Sequence, residues 1–218
     1  MGVERKFRLP RIWSNDELRK LAPLFDGKVV NVSGWKDEDK QGGHYKDYFS
    51  NASSYHITNY GGFRGFQGEE DEILLDLEDT LPAELKEQFD VVFNHTTLEH
   101  IFEVRTAFKN LSLMAKDVLI VVVPFAQTQH EHENIEDFWR FTPTCLRRLY
   151  EENGMKVIYE AANDHKNAGV YVIAVGTKNP EKWAGKMPQY QHLEEIAWYL
   201  GASWLQCVKR FVKQRILK

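Results

Sequence analysis

The residues with chemical potential gather in three short stretches. Leu75-Asp76-Leu77-Glu78-Asp79-Thr80-Leu81-Pro82 is followed closely by Phe89-Asp90-Val91-Val92-Phe93-Asn94-His95 and then by Leu98-Glu99-His100. This reads as two strand ends in quick succession, each bearing polar residues where an open α/β sheet places its ligand crevice. The third stretch, Gln127 to Asp137, carries His130, Glu131, His132, Glu133, Glu136 and Asp137 and is too polar for a core. Imidazoles and carboxylates set this close can take a proton from a substrate or return it. His130, His132, Glu133 and Asp137 could instead ligate a divalent cation. Acid/base use is favoured over metal, because His-x-His pairs in solvated acidic loops are common without ions.

These stretches need strands and helices to position them. Ser14-Asn15-Asp16-Glu17 has the form of a capping box, Ser14 capping and Glu17 three residues on, so a short N-terminal helix is expected from Ser14 through Leu18, Leu21 and Leu24. Lys28 to Val32 reads as a strand entering the polar loop Ser33 to Gly43. Tyr55 to Tyr60, Ile73 to Leu77 and Phe89 to Asn94 read as the next three strands. Leu98 to Met114 has helical spacing, and Val118 to Val123 is all apolar, as in a strand buried on both faces. Thr142-Pro143 starts a helix that Gly154 stops. Lys156 to Ala161 and Gly169 to Thr177 then read as an antiparallel hairpin at one edge of the sheet. Alternating strands and helices favour a mainly parallel sheet.

From Glu194 the chain places Ile196, Leu200, Trp204, Leu205, Val208, Phe211 and Val212 on one side of a helix, with Lys209, Arg210, Lys213, Arg215 and Lys218 in its last turns. Such a face can pack on the parent domain, form a homodimer, or lie on a membrane surface. The first two are favoured. The chain has 218 residues and a formal net charge of -4, which gives no global attraction to a polyanion and argues against a nucleic-acid partner. Cys145 and Cys207 lack metal-ligand spacing and suggest neither a disulfide framework nor a zinc site. No apolar run follows Met1 to Lys6, Gly2 lacks the Ser or Thr that would support myristoylation, and no stretch reaches bilayer-spanning length. A soluble cytoplasmic protein is expected.

Several of these pieces also carry a family resemblance. Asp76-Leu77-Glu78 with Leu81-Pro82, Phe89-Asp90-Val91-Val92, Leu98-Glu99-His100, Val123-Pro124-Phe125, and His132 followed by Asp137-Phe138-Trp139-Arg140-Phe141-Thr142-Pro143 resemble class I S-adenosylmethionine-dependent methyltransferases. The nearest look-alikes are those of bacterial polysaccharide and glycan gene clusters. The resemblance spans Lys28 to Thr177. It implies a Rossmann-like α/β fold: a mostly parallel seven-stranded sheet with helices on both faces and an antiparallel edge hairpin. Residues 1–27 would form an N-terminal helical segment, 28–178 the methyltransferase-like domain and 179–218 a C-terminal amphipathic extension.

The resemblance also implies roles. Asn31, Ser33 and Gly34 would lie beneath the methionine part of the cofactor. Here Gly34 stands alone where the family shows two or three glycines, Asn31 replaces a common acid, and Trp35 follows directly. Asn59 would bond the ribose without the charge of the usual acid, which Asp79 or Glu69 could supply instead. Asp76 would accept from the adenine amino group and the Leu77 amide would donate to a ring nitrogen, with Glu78 alongside. Asn94 and His95 would stand beside the sulfonium and the acceptor. The alternatives are a solvent-facing strand-end carboxylate for Asp76 and a hydrogen-bonded loop histidine for His95.

For a weakly acidic sugar hydroxyl a base is expected, and His132, His95 and Asp137 are the candidates. Arg140 is expected to hold Asp137 or a backbone carbonyl, and Trp139 to pack. Ile135 stands where the family usually has proline, leaving the loop's path open. Three functions compete: an O-methyltransferase on a sugar or glycan intermediate, a methyltransferase fold that has lost its cofactor and serves as a partner subunit, and a methyltransferase on a small metabolite or protein.

Overall fold

The computed structural model describes residues 2–131, 134–163, 165, 168–197, 199–200, 203, 205–206, 208–209 and 212. Seven strands form one sheet: β1 (Gly27–Val32), β2 (Ala52–Asn59), β3 (Glu72–Leu74), β4 (Phe89–His95), β5 (Ala115–Ala126), β6 (Lys156–Ala162) and β7 (Val170–Thr177). Their order is β3-β2-β1-β4-β5-β7-β6. The first five are parallel, and β7 runs antiparallel to both β5 and β6, so the expected hairpin is present with β7 inserted and β6 at the edge. The direction of winding reverses between β1 and β4, which opens a crevice at their C-terminal ends.

Strand periodicity sorts the core into two layers. Val30, Val32, Val92, Leu119, Val121 and Val123 face α2 (Val104–Met114) and α3 (Pro143–Glu152), where Phe108, Leu111, Leu146 and Tyr150 cover them. Val29, Val91, Phe93, Val118, Ile120 and Val122 face the other way. There they meet Leu18 and Leu21 of α1 (Gly2–Leu21), the aromatic turn Tyr45, Tyr48 and Phe49, and Trp183 of α4 (Pro180–Trp183). Helices therefore lie on both faces, but short 3-10 turns replace full helices at 45–48 and 83–85.

Two helix boundaries differ from expectation. Ser14 does not start a helix; it lies inside α1, which runs twenty residues through Pro10. Its hydroxyl donates to the Arg11 carbonyl at 2.9 Å and meets His95 at 2.9 Å, so a tertiary partner has taken the side chain that would cap. Glu17 bonds the Tyr159 hydroxyl instead of closing a box. The helix expected from Leu98 starts at Val104, because the Glu99 carbonyl accepts from the Phe138 and Trp139 amides while the Glu103 amide donates to Glu78 Oε1. The i to i+4 pair that would extend α2 backwards is thus diverted at both partners. Strand β3 is also short, so Asp76-Leu77-Glu78 lies just beyond it.

α3 begins as read, with the Thr142 hydroxyl accepting from the Cys145 amide at 3.1 Å, and turns out at Gly154 with φ 70°. Cys145 is a free, exposed thiol, and Cys207 lies outside the described residues. No described helix is long and apolar enough to cross a membrane. Trp204, Phe211 and most of the basic residues of the C-terminal stripe fall outside the described residues; of those described, Leu200, Leu205, Val208 and Val212 are exposed.

A tight packing joint holds β7 against α3. A Cβ built on Gly176 would stand 2.3 Å from Tyr150 Cδ1 and 2.4 Å from Cε1, and Tyr150 is fully buried with its hydroxyl near the Leu119 and Ala174 carbonyls. Gly176→Ala is expected to lower unfolding free energy by about 2–3 kcal/mol through overpacking, read as a lower urea midpoint with an unchanged slope.

Candidate active site

At the end of β1 the chain turns through a sequence of left-handed residues: Ser33 (φ 57°), Trp35 (φ 50°) and Asp37 (φ 60°). Non-glycine residues resist this conformation, so hydrogen bonds must hold it. The Gly34 amide donates to the Thr58 carbonyl at 3.2 Å. The Asn59 carboxamide clamps Trp35 from both sides, Oδ1 accepting from its amide at 2.7 Å and Nδ2 donating to its carbonyl at 3.0 Å. Asn59 Nδ2 also donates to Glu72 Oε1 at 2.6 Å. Buried Asp37 accepts from Asn31 Nδ2 and the Tyr55 hydroxyl, each at 2.7 Å, and from the Lys46 amide at 2.8 Å. Burial still pushes its carboxyl up, against those donors. A Cβ on Gly34 would lie 2.6 Å from Asn31 Nδ2, so this glycine makes room for the Asn31 side chain. Asn31, Gly34 and Asn59 are therefore brought together, with their polar groups turned on the loop itself.

Glu72, which sequence reading passed over, anchors the neighbouring turn. Its Oε2 accepts from the Gln67 and Gly68 amides at 2.8 Å and from Glu69 at 3.2 Å. Although burial works against it, the bonds from Asn59 and these amides hold its carboxyl below the usual range. Beyond β3, Asp76 is exposed and its Oδ1 accepts from the Glu78 amide at 2.9 Å. The Leu77 side chain is buried, and Glu78 Oε1 accepts from the Glu103 amide at 3.0 Å.

The end of β4 carries Asn94 and His95. Asn94 Nδ2 donates to the Val32 carbonyl at 2.9 Å, while its Oδ1 is buried without a partner. His95 has both ring nitrogens engaged: Nδ1 with the Arg11 guanidinium at 2.9 Å and Nε2 with Ser14 Oγ at 2.9 Å. Arginine only donates, so Nδ1 must be the accepting nitrogen and Nε2 carries the proton. Burial, then the charges of Arg11 and Lys40, drive its pKa well below the ordinary value. His95 is placed as a neutral pivot. Its neighbour Thr96, a β-branched residue at φ 51°, accepts from Arg11 at 2.7 Å.

The loop after β5 is organised by one ion pair. Arg140 grips Asp137 with two bonds, 2.5 and 2.7 Å, and reaches the Gln127, Thr128 and Trp139 carbonyls as well. The His130 amide adds a bond to Asp137 Oδ2 at 2.9 Å. The Asp137 side chain is wholly enclosed, and chiefly through Arg140 its pKa falls to about 2. Asp137 thus closes the loop with both oxygens engaged. His132 and Glu133 lie outside the described residues; among the described ones no metal-binding group of His, Cys, Asp or Glu assembles.

Against this loop stands Glu99, named by its motif but not among the expected site residues. It is 1% exposed, its Oε2 has no partner, and burial, reinforced by Asp137, raises its pKa to about 8 against the pull of Arg11 and Arg140. His100 Nδ1 lies 2.6 Å from the Glu136 carbonyl, which makes it a donor and leaves Nε2 3.8 Å from Glu99 Oε1. The His100 and His130 rings meet edge to face at 5.0 Å. Gln127 Oε1 and His130 Nδ1 are also buried without hydrogen bonds. The one signal in the sequence was an acid set between apolar Leu98 and Ile101 directly after a strand. A separate open depression of about 830 Å³, lined by Val157, Trp183, Met187 and Tyr190 among others, lies at the opposite end of the sheet, by the start of β6.

No protein-family model matches the chain, and no curated protein matches it significantly. Solved structures do. It is similar to magnesium protoporphyrin IX methyltransferase from Synechocystis PCC 6803 with bound S-adenosylmethionine, at TM-score 0.53 and 14% identity over 81% of this chain and 83% of that one. It is also similar to the 1,6-didemethyltoxoflavin-N1-methyltransferase of Burkholderia thailandensis, at TM-score 0.52 and 11% identity over 77% and 80%. An S-adenosylmethionine-dependent methyltransferase from Aquifex aeolicus gives TM-score 0.51 and 12% identity over 78% and 92%. The fold is the Rossmann-like methyltransferase fold; identities this low carry no activity or substrate across.

The Asp137–Arg140 pair has a pH signature. A carboxyl held at about 2 when folded contributes stability above its unfolded value of about 3.9, and that contribution fades as pH falls toward 2. Asp137→Asn should therefore cost about 2 kcal/mol at neutral pH, and the gap between the proteins should close in acid, as thermal midpoints across pH would record.

Proposed function

We propose that this chain transfers a methyl group from S-adenosylmethionine to a hydroxyl of a sugar, on a glycan or a nucleotide-sugar intermediate. The observation that carries the reading is the switch point between β1 and β4, where this strand order puts the ligand site of an open α/β sheet, together with two acceptors that have no protein partner. Asp76 Oδ2 makes no hydrogen bond among the described residues, and Asn94 Oδ1 is buried without a partner. An adenine amino group suits the first and an ammonium N–H the second, so these acceptors fit the N–H donors at the two ends of the cofactor. The ribose hydroxyls would need partners other than the Asn59 carboxamide, which is engaged with Trp35 and Glu72. Once bound, the cofactor supplies a methyl carbon activated by its sulfonium, and the protein's share is alignment and a proton acceptor.

A phosphorylated acceptor is supported by charge. Lys40 falls to about 8, first through burial and then through the fields of Arg11, Arg64 and Arg8, with Glu38 opposing. Arg64 and Lys36 also stand over the Trp35 ring at 5.2 and 5.4 Å. Positive potential collected beside the crevice mouth favours an anionic ligand. One observation favours a second reading, a partner subunit that does not bind the cofactor: the Asn59 clamp turns the Trp35 loop inward on itself.

Calorimetric titration separates the two. Micromolar binding of S-adenosylmethionine and S-adenosylhomocysteine, roughly -8 kcal/mol, is expected, with Asp76→Ala weakening both at least about tenfold, or 1.4 kcal/mol. Silence at millimolar ligand would give the partner-subunit reading first place.

A further inference from the structure

We infer that Glu99 is the proton acceptor of the transfer and that Phe102, Phe138 and Trp139 form the shelf on which the acceptor sugar lies. This rests on the methyl-transfer reading above. Phe102, Phe138 and Trp139 are 60%, 38% and 37% exposed, an aromatic patch that water should disfavour. Their rings form one cluster, Phe102 meeting Phe138 at 5.3 Å and Trp139 at 6.3 Å. The cluster is bolted to the acid: the amides of Phe138 and Trp139 donate to the Glu99 carbonyl at 2.8 and 3.2 Å, and Trp139 Nε1 donates to the Ile101 carbonyl at 2.9 Å. The shelf is thus fixed to the backbone of the residue that carries the carboxyl. Glu99 Oε2 and Gln127 Oε1 are buried acceptors without a partner. A ligand with an apolar face and several hydroxyl donors meets both demands, which describes a pyranose ring.

In the reaction the sugar oxygen forms a bond to the methyl carbon, the carbon–sulfur bond breaks with its electron pair left on sulfur, and the hydroxyl proton passes to Glu99 Oε2. Enclosure favours the neutral acid that results and makes the carboxylate a stronger base than one in water. His95 and Asp137 are poorly suited by comparison, since their acceptor atoms are engaged. The groups that bear on Glu99 are Arg11 from α1, Tyr171 from β7, and His100, Asp137 and Arg140 from the two loops, with the His130 ring against His100. His100 is held below its ordinary pKa and Tyr171 above its own, so neither accounts for a change between about pH 7 and 9.

The test measures sugar binding and methyl transfer separately. Saturation-transfer NMR with a panel of methyl pyranosides and nucleotide sugars, without cofactor, should find a binder that Trp139→Ala weakens about fivefold or more. With labelled S-adenosylmethionine, transfer to that sugar should rise with pH through about 8. Glu99→Gln should keep sugar binding and cofactor affinity, slow transfer about 100-fold or more, and flatten the pH rise. A panel with no binder, or binding indifferent to Trp139→Ala, overturns the shelf. Glu99→Gln with wild-type rate and pH profile overturns the base, as does a sugar and cofactor both bound without transfer. If calorimetry shows no cofactor binding, the methyl-transfer reading and the base fall together, and the NMR result alone decides the shelf.

Discussion

A partly buried cation with neutral partners organises the crevice. Arg11 reaches out of α1 to the Tyr45 hydroxyl at 3.0 Å, His95 Nδ1 at 2.9 Å and Thr96 Oγ1 at 2.7 Å. A guanidinium taken from water needs all its donors met, and here that demand fixes three elements at once: α1, the aromatic turn beyond β1, and the end of β4. It also sets protonation states at a distance. The charge selects the His95 tautomer and helps keep that ring neutral, and it pulls down the carboxyl of Glu99, which would otherwise sit higher still.

Backbone strain collects around the same switch point. Ser33, Trp35, Asp37 and Thr96 take left-handed φ values where glycine would do so freely. At the end of β1 the cost is offset by Asn59, Asp37 and the Thr58 carbonyl, and at the end of β4 by Arg11 and the Val122 carbonyl, which accepts from the Thr96 amide at 2.8 Å. Local strain held by surrounding bonds is characteristic of functional loops. The turn of left-handed residues after β1 is imposed in part by the Asn59 and Tyr55 side chains of β2.

Much of the architecture was legible because burial on both faces leaves a strong mark. Val118 to Val123 and Phe89 to Asn94 announced central strands, and Thr142-Pro143 announced a helix start that local chemistry alone decides. What was hidden depended on distant partners. Ser14 has the credentials of a cap but bonds to a histidine 81 positions away. Leu98 has the spacing of a helix start, yet the carbonyl of Glu99 belongs to residues 138 and 139. The polar residues of the site divided the same way. His95 and Asp137 are of types that do acid/base chemistry, but their environments occupy them. Glu99 becomes conspicuous only once its enclosure is seen, and enclosure is a property of the fold.

The docking of α1 has a consequence for the order of assembly. Its anchors, Arg11 to His95, Ser14 to His95 and Glu17 to Tyr159, span 84, 81 and 142 residues of chain. Contacts that distant form late, after loop closure by nearer elements. During synthesis α1 has no surface to rest on until β4, β6 and β7 have followed it. The apolar side chains of Leu18 and Leu21 stay uncovered until those strands are made, and the step that shelters them also completes the wall beside Glu99. Sheet closure and site formation are in that sense a single event, timed by β6 and β7.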